Sequence, residues 1–532
     1  MENLASERVT SHSFTKFSSP EGTAFCRNIA SKHCLPWDPH DYQLEGVCKA
    51  LDGIDVFAIT PTGSGKTGFL LIYMLVAQAI AKDRELCPKG LRSRFKADPC
   101  MVVVCPTKSL EHDMEPKFKA AGLTTVVINA DTTRAAQAAK VDLWSTAQSK
   151  TAVILLSPEQ LTSRPFQRLT SDKTFAARIM ALNVDEAHLL CFWGTRFRTA
   201  FLHIGHVRVR LPTTPVLIAL TATIYAGSQM DMVCHSLGLH TGQYHLIRRS
   251  NARYDIRWLF RIAQAGAKSK EFTDLDWTIQ TNPGRRVVVF CKTIALCHRV
   301  ASYLRDEATS LPNCKDRIRP FTSMCGDDYN RRTLALLRDT SVSGLQVTVG
   351  TDTMAFGLDG VTDDVVSFGH IPDDLNLMLQ RAGRIRDGRG RDARAIVYLP
   401  RTAVERATMA LGLGGSVASL SKKRKASALD ESDTIDPLVA RVILAKCKVD
   451  EINAIYENPE NDVPCTCRTC TSRVPLTRPS PCNCSGCQPE NHSEVCEQSK
   501  GSTEGLQVGV LPDGEARAPP RVQKRRRKAG VC

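Results

Sequence analysis

The sequence predicts an α/β protein of two tandem parallel-sheet lobes, followed by a small cysteine-rich helical segment and polar tails. Three observations carry this expectation. Short Val- and Ile-rich runs alternate with longer mixed segments between about residues 40 and 400. The runs fall into two series, joined near Gly242–Asp255. Beyond residue 400 the composition shifts to Gly, Ser and charge, and then to Cys and Pro.

The first series is Val56–Thr60, Met101–Cys105, Val126–Ile128, Ala152–Leu156, Leu182–Asp185 and Pro215–Leu220. The second is Arg286–Phe290, Leu345–Gly350, Val365–Phe368 and Ala395–Leu399. Unbroken apolar runs of this length suit strands buried on both faces, as in parallel sheets covered by helices. Residues 1–35 are rich in Ser and Thr with weak periodicity, and read as a poorly ordered, flexible lead-in ending at most in a short helix. The predicted spans are then 36–245 and 246–405 for the lobes, 406–436 for a flexible basic insertion, 437–496 for a Cys-rich segment with a helix over 437–457, and 497–532 for a disordered basic tail.

The 532 residues carry a formal net charge of +15, which favours a polyanionic partner. The start, MENLASERVTSHSFTKF, has no apolar signal-peptide core, and the longest apolar run, Phe69–Ala81, is too short to span a bilayer. Cysteines such as Cys105 and Cys291 sit inside apolar runs, where a thiol acts as a small hydrophobe. Together these features point to a reducing compartment, cytosol or nucleus, and to no membrane partner.

Residues 60–67 read TPTGSGKT between the run Val56–Ile59 and the predicted helix Gly68–Ala81. Strand, glycine-rich loop and helix form the setting of a phosphate-binding loop. Gly63 and Gly65 let backbone N–H groups curl toward phosphates, and the helix N-terminus adds a favourable dipole. The candidate nucleotide contacts are Thr60, Pro61, Thr62, Gly63, Ser64, Gly65, Lys66 and Thr67. Lys66 would neutralise the β- and γ-phosphates of ATP, and the Thr67 hydroxyl would bind Mg²⁺. Thr60 stands where the strict pattern has its first glycine, a position that only starts the turn. Residues 184–188, VDEAH, follow another run. Asp185 would hold Mg²⁺, and Glu186 would orient and deprotonate the attacking water.

With both motifs present, the chain resembles superfamily 2 helicases, and among them the RecQ family, from about residue 40 to 400 and arguably to 470. The resemblance implies two RecA-like lobes with ATP between them. It places Gln43 at an adenine-reading position, with Tyr42 or Trp37 stacking on the base. VCPT at 104–107, ending in Thr107, and SPEQ at 157–160 are similar to segments that touch the nucleic-acid backbone. LTAT at 220–223 is similar to the segment linking hydrolysis to strand movement, its hydroxyls within reach of Asp185 or Glu186. GTDTMAFGLD at 350–359, including Thr351 and Asp359, resembles a loop between nucleotide and nucleic acid.

The run LLCFWGTRFR at 189–198 resembles the family's aromatic-rich loop, which assigns Trp193, Phe197 and Arg198 to unpaired bases and phosphates. Burial of Phe192, Trp193 and Phe197 in a core is the alternative. QRAGRIRDGRGR at 380–391 resembles the motif that faces ATP from the second lobe, with Gln380, Arg384 and Arg386 as candidates. Only Ile385 separates Arg384 from Arg386, where the family usually places two residues. Either the loop is one residue shorter, or Arg386 or Arg389 has a changed role; Arg384 is the expected γ-phosphate contact.

Cys465, Cys467 and Cys470 form C-x-C-x-x-C, and with Cys447 upstream they resemble the family's zinc segment, implying one Zn²⁺. Cys482, Cys484 and Cys487 repeat the spacing, as a second site completed by Cys496 or His492 or as the alternative trio. KKRK at 422–425 and KRRRK at 524–528 suit nuclear import or phosphate contact. By resemblance the expected activity is ATP-dependent, 3′–5′ unwinding of single-stranded and tailed duplex DNA, in repair or recombination. An RNA helicase, a translocase without unwinding and a binding protein without turnover are the alternatives.

Overall fold

The computed structural model describes residues 14–32, 35, 37–193, 200, 203–280, 284–309, 312–339, 346–355, 360–386, 392–413, 435–473 and 476–489, the side chains of 192, 193 and 353 excepted. Two wholly parallel sheets dominate it. The first holds β1 (Asp55–Ile59), β2 (Cys100–Val104), β3 (Thr125–Ile128), β4 (Val153–Leu156), β5 (Ile179–Val184), β6 (Val216–Thr221) and β7 (Tyr244–Arg248), in the order β3-β4-β2-β5-β6-β1-β7. The second holds β8 (Ile256–Ile262), β9 (Val287–Cys291), β10 (Ile318–Phe321), β11 (Val347–Gly350), β12 (Asp364–Phe368) and β13 (Ala393–Leu399), in the order β10-β11-β9-β12-β13-β8.

Alternate residues of each strand feed separate cores. Val56, Ala58, Met101 and Val103 pack on one face of the first sheet, and Phe57, Ile59, Val102 and Val104 on the other. The second sheet divides in the same way, with Trp258, Phe260, Val288 and Phe290 opposed to Leu259, Val287, Val289 and Cys291. Burial on both faces is what the apolar runs predicted.

All ten predicted runs are strands, with ends shifted by up to three residues. β7, β8 and β10 were not predicted, and each lies at a sheet edge. The predicted join near Gly242–Asp255 contains β7, so the 245/246 boundary cuts a strand, and the lobes actually meet across 249–255. The flexible lead-in is also corrected. Residues 20–32 are helical, and Phe14, Phe17 and Phe25 are buried against one another and the first core.

The segment expected to be a flexible insertion from 406 begins as helix, since Ala403–Ala410 continues the second lobe. After the undescribed 414–434, Ile435 is buried and the Asp436 carboxylate caps the helix Pro437–Leu444. This helix packs on the second sheet together with the helix Lys448–Tyr456. The C-terminal segment also clamps the join between lobes. Arg248 Nη1 donates to Tyr456 O (3.1 Å), Ser250 N to Asp462 Oδ1 (2.9 Å) and Asn251 N to Asn458 Oδ1 (3.1 Å). Tyr456 OH donates to Asn376 Oδ1 (2.7 Å), whose amide donates to Gln229 Oε1 of the first lobe (3.0 Å). Among the described residues no helix is long and apolar enough to cross a membrane.

Candidate nucleotide and metal sites

The carboxyl ends of β1, β2, β4, β5 and β6 face one crevice, where open parallel sheets collect ligand-binding loops. TPTGSGKT leaves β1 there. Gly63 and Gly65 have φ of +80° and +75°, a region open to glycine and costly for other residues. Thr60 is buried, its N–H donates to Thr221 O (3.0 Å), and its hydroxyl accepts from Ser64 Oγ (2.9 Å). The residue in the outer glycine position therefore holds the loop's turn rather than merely starting it. Pro61 O accepts from Ser64 N (3.2 Å), Lys66 is the N-cap, and Thr67 heads the helix Thr67–Lys82.

Gln43 and Tyr42 brace this loop from the helix Asp41–Leu51. Gln43 Nε2 donates to Gly65 O (2.7 Å), and Tyr42 OH donates to Ser64 O (2.8 Å). A Cβ added at Gly68 would fall 2.6 Å from Gln43 Nε2 and 3.0 Å from Trp37 Cη2, so both side chains cover the helix start.

Asp185 and Glu186 end β5 facing the same loop. Glu186 has φ of +49°, a strained value for a non-glycine residue. The turn is held by Asp185 N donating to Val104 O (3.2 Å) and Ala187 N donating to Leu220 O (2.9 Å). Burial and then the neighbouring Glu186 carboxylate push Asp185 up to about 7, partly offset by Lys66. Glu186 Oε2 is buried without a hydrogen-bond partner among the described residues, though His188 Nδ1 stands 3.5 Å away. Two crowded buried carboxylates beside the Thr67 position fit a divalent cation, whose charge would favour their ionised forms.

A polar seam joins the lobes behind this pair. Gln380 Nε2 lies 2.6 Å from His188 Nε2 and donates to Thr223 Oγ1 (2.9 Å). Burial drives the His188 pKa down to about 4, so the ring is neutral. Nε2 then accepts from Gln380, and Nδ1–H donates to Thr221 Oγ1 (2.9 Å). The LTAT hydroxyls were expected at Asp185 or Glu186. Thr221 bonds His188 and Thr223 bonds Gln380 of the second lobe instead.

In the arginine loop, Arg386 is bridged to Thr362 in both directions, N–H to O at 3.0 and 3.2 Å, and Ile385 is fully buried beneath it. A Cβ on Gly63 would lie 3.2 Å from Arg386 Nη2, and one on Gly383 would lie 2.6 Å from Thr62 Oγ1. Arg386 therefore lies against Gly63 of the phosphate loop. The Thr362 bridge holds Arg386 at that place.

Sequence reasoning missed Arg381. It is buried, bonds Asp352 Oδ1 (2.8 Å), Ser367 Oγ (3.1 Å) and His370 Nε2 (3.1 Å), and ties the arginine helix to the loop after β11. Thr351 opens that loop, and Thr107 caps the helix Lys108–Ala120 by accepting from Leu110 N (3.4 Å). Trp193 ends the helix Leu189–Trp193. Its side chain, Phe197, Arg198, Asp359, Arg389, His492, Cys496 and both basic runs lie outside the described residues.

The predicted zinc set is split. Cys447 gathers not with Cys465, Cys467 and Cys470 but with Cys482, Cys484 and Cys487, all four sulfurs within 4.8 Å of one another. Cys447 Sγ lies 3.6 Å from Cys482 Sγ. The Cys484 thiol is held down to about 4, chiefly by the Cys447 thiol against the effect of burial, with the N–H groups of Lys448, Cys487 and Gly486 adding to it. A Cβ at Gly486 would meet Lys446 O at 1.7 Å, so only glycine lets this knuckle close on the Cys447 helix. Four converging sulfurs fit Zn²⁺. The other trio lies 425 or more residues along the chain from its neighbour in space, His40.

Residues 40–231 match the DEAD/DEAH box helicase family, and the two lobes with their phosphate loop are similar to a superfamily 2 helicase core. Within that class the chain is RecQ-like. It is 24% identical over 363 residues to the ATP-dependent DNA helicase RecQ of Haemophilus influenzae, covering 67% of this chain and 50% of that protein. It thus spans about half the length of the curated relatives it matches first. In fold it is similar to the DUF1998 helicase MrfA bound to DNA and AMPPNP (TM-score 0.54, 17% identity, 72% of this chain and 51% of that one). It is equally similar to Mss116p bound to ssRNA and AMP-PNP (TM-score 0.54, 15% identity, 83% and 86%).

Proposed function

We propose that the chain is an ATP-dependent DNA helicase that moves 3′ to 5′ on single-stranded DNA and unwinds tailed duplexes, in repair or recombination. The observation that supports this most is the meeting of Arg386 with the phosphate loop beside the His188–Gln380–Thr223 seam. Closure on ATP brings Arg386 toward the γ-phosphate, where an arginine raises hydrolysis by several orders of magnitude. Glu186 accepts the proton of the attacking water. Thr67 and Asp185 would hold Mg²⁺, which would supply charge neutralisation to the phosphates. When the phosphate leaves, the seam loosens and the lobes part, so each cycle advances the strand. Zn²⁺ at Cys447, Cys482, Cys484 and Cys487 fastens the C-terminal segment to the second lobe.

The names of the relatives support DNA, and the two basic runs support action in the nucleus. The test is unwinding of duplexes with a 3′ tail, a 5′ tail or no tail, in DNA and in RNA. ATP-dependent separation of the 3′-tailed DNA duplex is the expected result. Separation of the RNA duplex alone would support the RNA reading, and ATP turnover without any separation would mark a translocase.

A further inference from the structure

We propose that His40, Cys465, Cys467 and Cys470 form a second zinc site, which couples the C-terminal segment to the element bracing the phosphate loop. The ligand set is that of a Cys₃His site. His40 Nδ1 lies 3.1, 3.4 and 3.7 Å from the sulfurs of Cys467, Cys470 and Cys465. Bonds of roughly 2.0–2.1 Å to nitrogen and 2.3 Å to sulfur put the ligand atoms of a tetrahedron about 3.5 Å apart. All four ligand atoms lie within 4.8 Å of one another, and Cys467 is fully buried.

The surroundings hold this arrangement. Asp41 N donates to Cys465 Sγ (3.3 Å) and Cys470 N to Cys467 Sγ (3.4 Å), bonds that favour thiolates. Asp38 accepts from Arg468 N (2.9 Å) and Asp41 from Thr466 N (2.5 Å), while Arg27 pairs with both carboxylates. The segment bearing the trio is therefore docked through its backbone around His40. The spacing C-x-C-x-x-C serves both knuckles, one closed by Cys447 and the other by a histidine from the opposite end of the chain.

His40 also leads directly to the phosphate loop. Its N–H donates to Gln43 Oε1 (2.9 Å), and its ring stacks on Tyr42 at 5.0 Å. Those two side chains hold Gly65 O and Ser64 O. A metal on Nδ1 fixes the ring, and with it the braces of the loop. Losing the metal frees both the C-terminal clamp on the join and the loop.

The metal count is independent of the ATP-driven reading, whereas the coupling rests on it. Zinc per purified full-length chain, released by a thiol-modifying reagent and read with a colorimetric chelator, should be two. It should be one in Cys467→Ser, one in Cys484→Ser and still two in Lys66→Ala. In His40→Ala, which leaves every sulfur in place, one of the two ions should pass to a competing chelator at least about tenfold faster. The same variant should bind a fluorescent ATP analogue about tenfold more weakly. One zinc in the wild type, lost in Cys484→Ser and kept in Cys467→Ser, overturns the site. If Cys467→Ser does not fold, unchanged zinc release in His40→Ala overturns it instead. Faster zinc release with unchanged nucleotide affinity overturns the coupling.

Discussion

The first lobe brings its phosphate-binding chemistry to the cleft in eight consecutive residues, 60–67, shaped by local backbone geometry. The second meets it with Arg386 and Gln380, placed by contacts with Thr362, His188 and Thr223 far away in sequence. A contiguous loop carries its chemistry wherever strand and helix frame it. A side chain placed by long-range contacts works only when both lobes are correctly seated. The phosphate loop should thus set binding, and the arginine loop should set turnover.

The largest break should come from Lys66→Ala, which removes ATP turnover altogether while leaving the fold intact by circular dichroism. Arg386→Ala should lower kcat by about 10³-fold or more, with nucleotide affinity changed only a few-fold in an equilibrium titration. Arg384→Ala should do less. The opposite ranking would return the γ-phosphate contact to Arg384. Trp193→Ala should weaken apparent affinity for single-stranded DNA about tenfold, as loss of one base stack does, without weakening ATP binding. Equal loss of both together with the fold would place that ring in a core.

The smallest effect concerns the seating of the second lobe. Asp374 caps the helix carrying Gln380 by accepting from Leu377 N, and burial raises its pKa to about 7 from the ordinary 3.8. A carboxyl whose folded pKa is raised contributes stability that is full below about pH 3.8 and is lost as pH rises through about 7. His188 and His370, both lowered to about 4, act in the opposite sense between pH 4 and 6.5. Asp374→Asn keeps the cap and cannot titrate. The stability difference, wild type minus variant, should therefore fall by on the order of 2–4 kcal/mol between pH 4 and 8 in denaturant titrations. A constant difference would contradict the buried, uncharged cap.

How far the sequence could be read follows the same division. TPTGSGKT and VDEAH were legible because each carries its chemistry within eight or fewer adjacent residues. Central strands were legible because burial on both faces makes them unbroken apolar runs. The missed strands are all at edges, where one side lacks a neighbour and polar residues are tolerated. β8 is IRWLFRI, β7 is YHLIR, and β10 carries Pro320. The lead-in was missed because three phenylalanines among serines form no periodic pattern until they fold onto one another. The place of Arg386 against Gly63 was not legible because a motif spacing cannot show the Thr362 bridge. The repeated spacing made Cys482, Cys484 and Cys487 legible as the alternative trio, and that trio is the one Cys447 joins. The partner of the first trio, His40, was hidden because it lies far away in sequence.

The most direct test of an ATP-driven motor on DNA is ATP hydrolysis by the full chain with and without single-stranded DNA. Turnover should rise severalfold or more on adding DNA, and Lys66→Ala should stay at background in both conditions. Turnover indifferent to DNA, or equal in Lys66→Ala, would contradict the account.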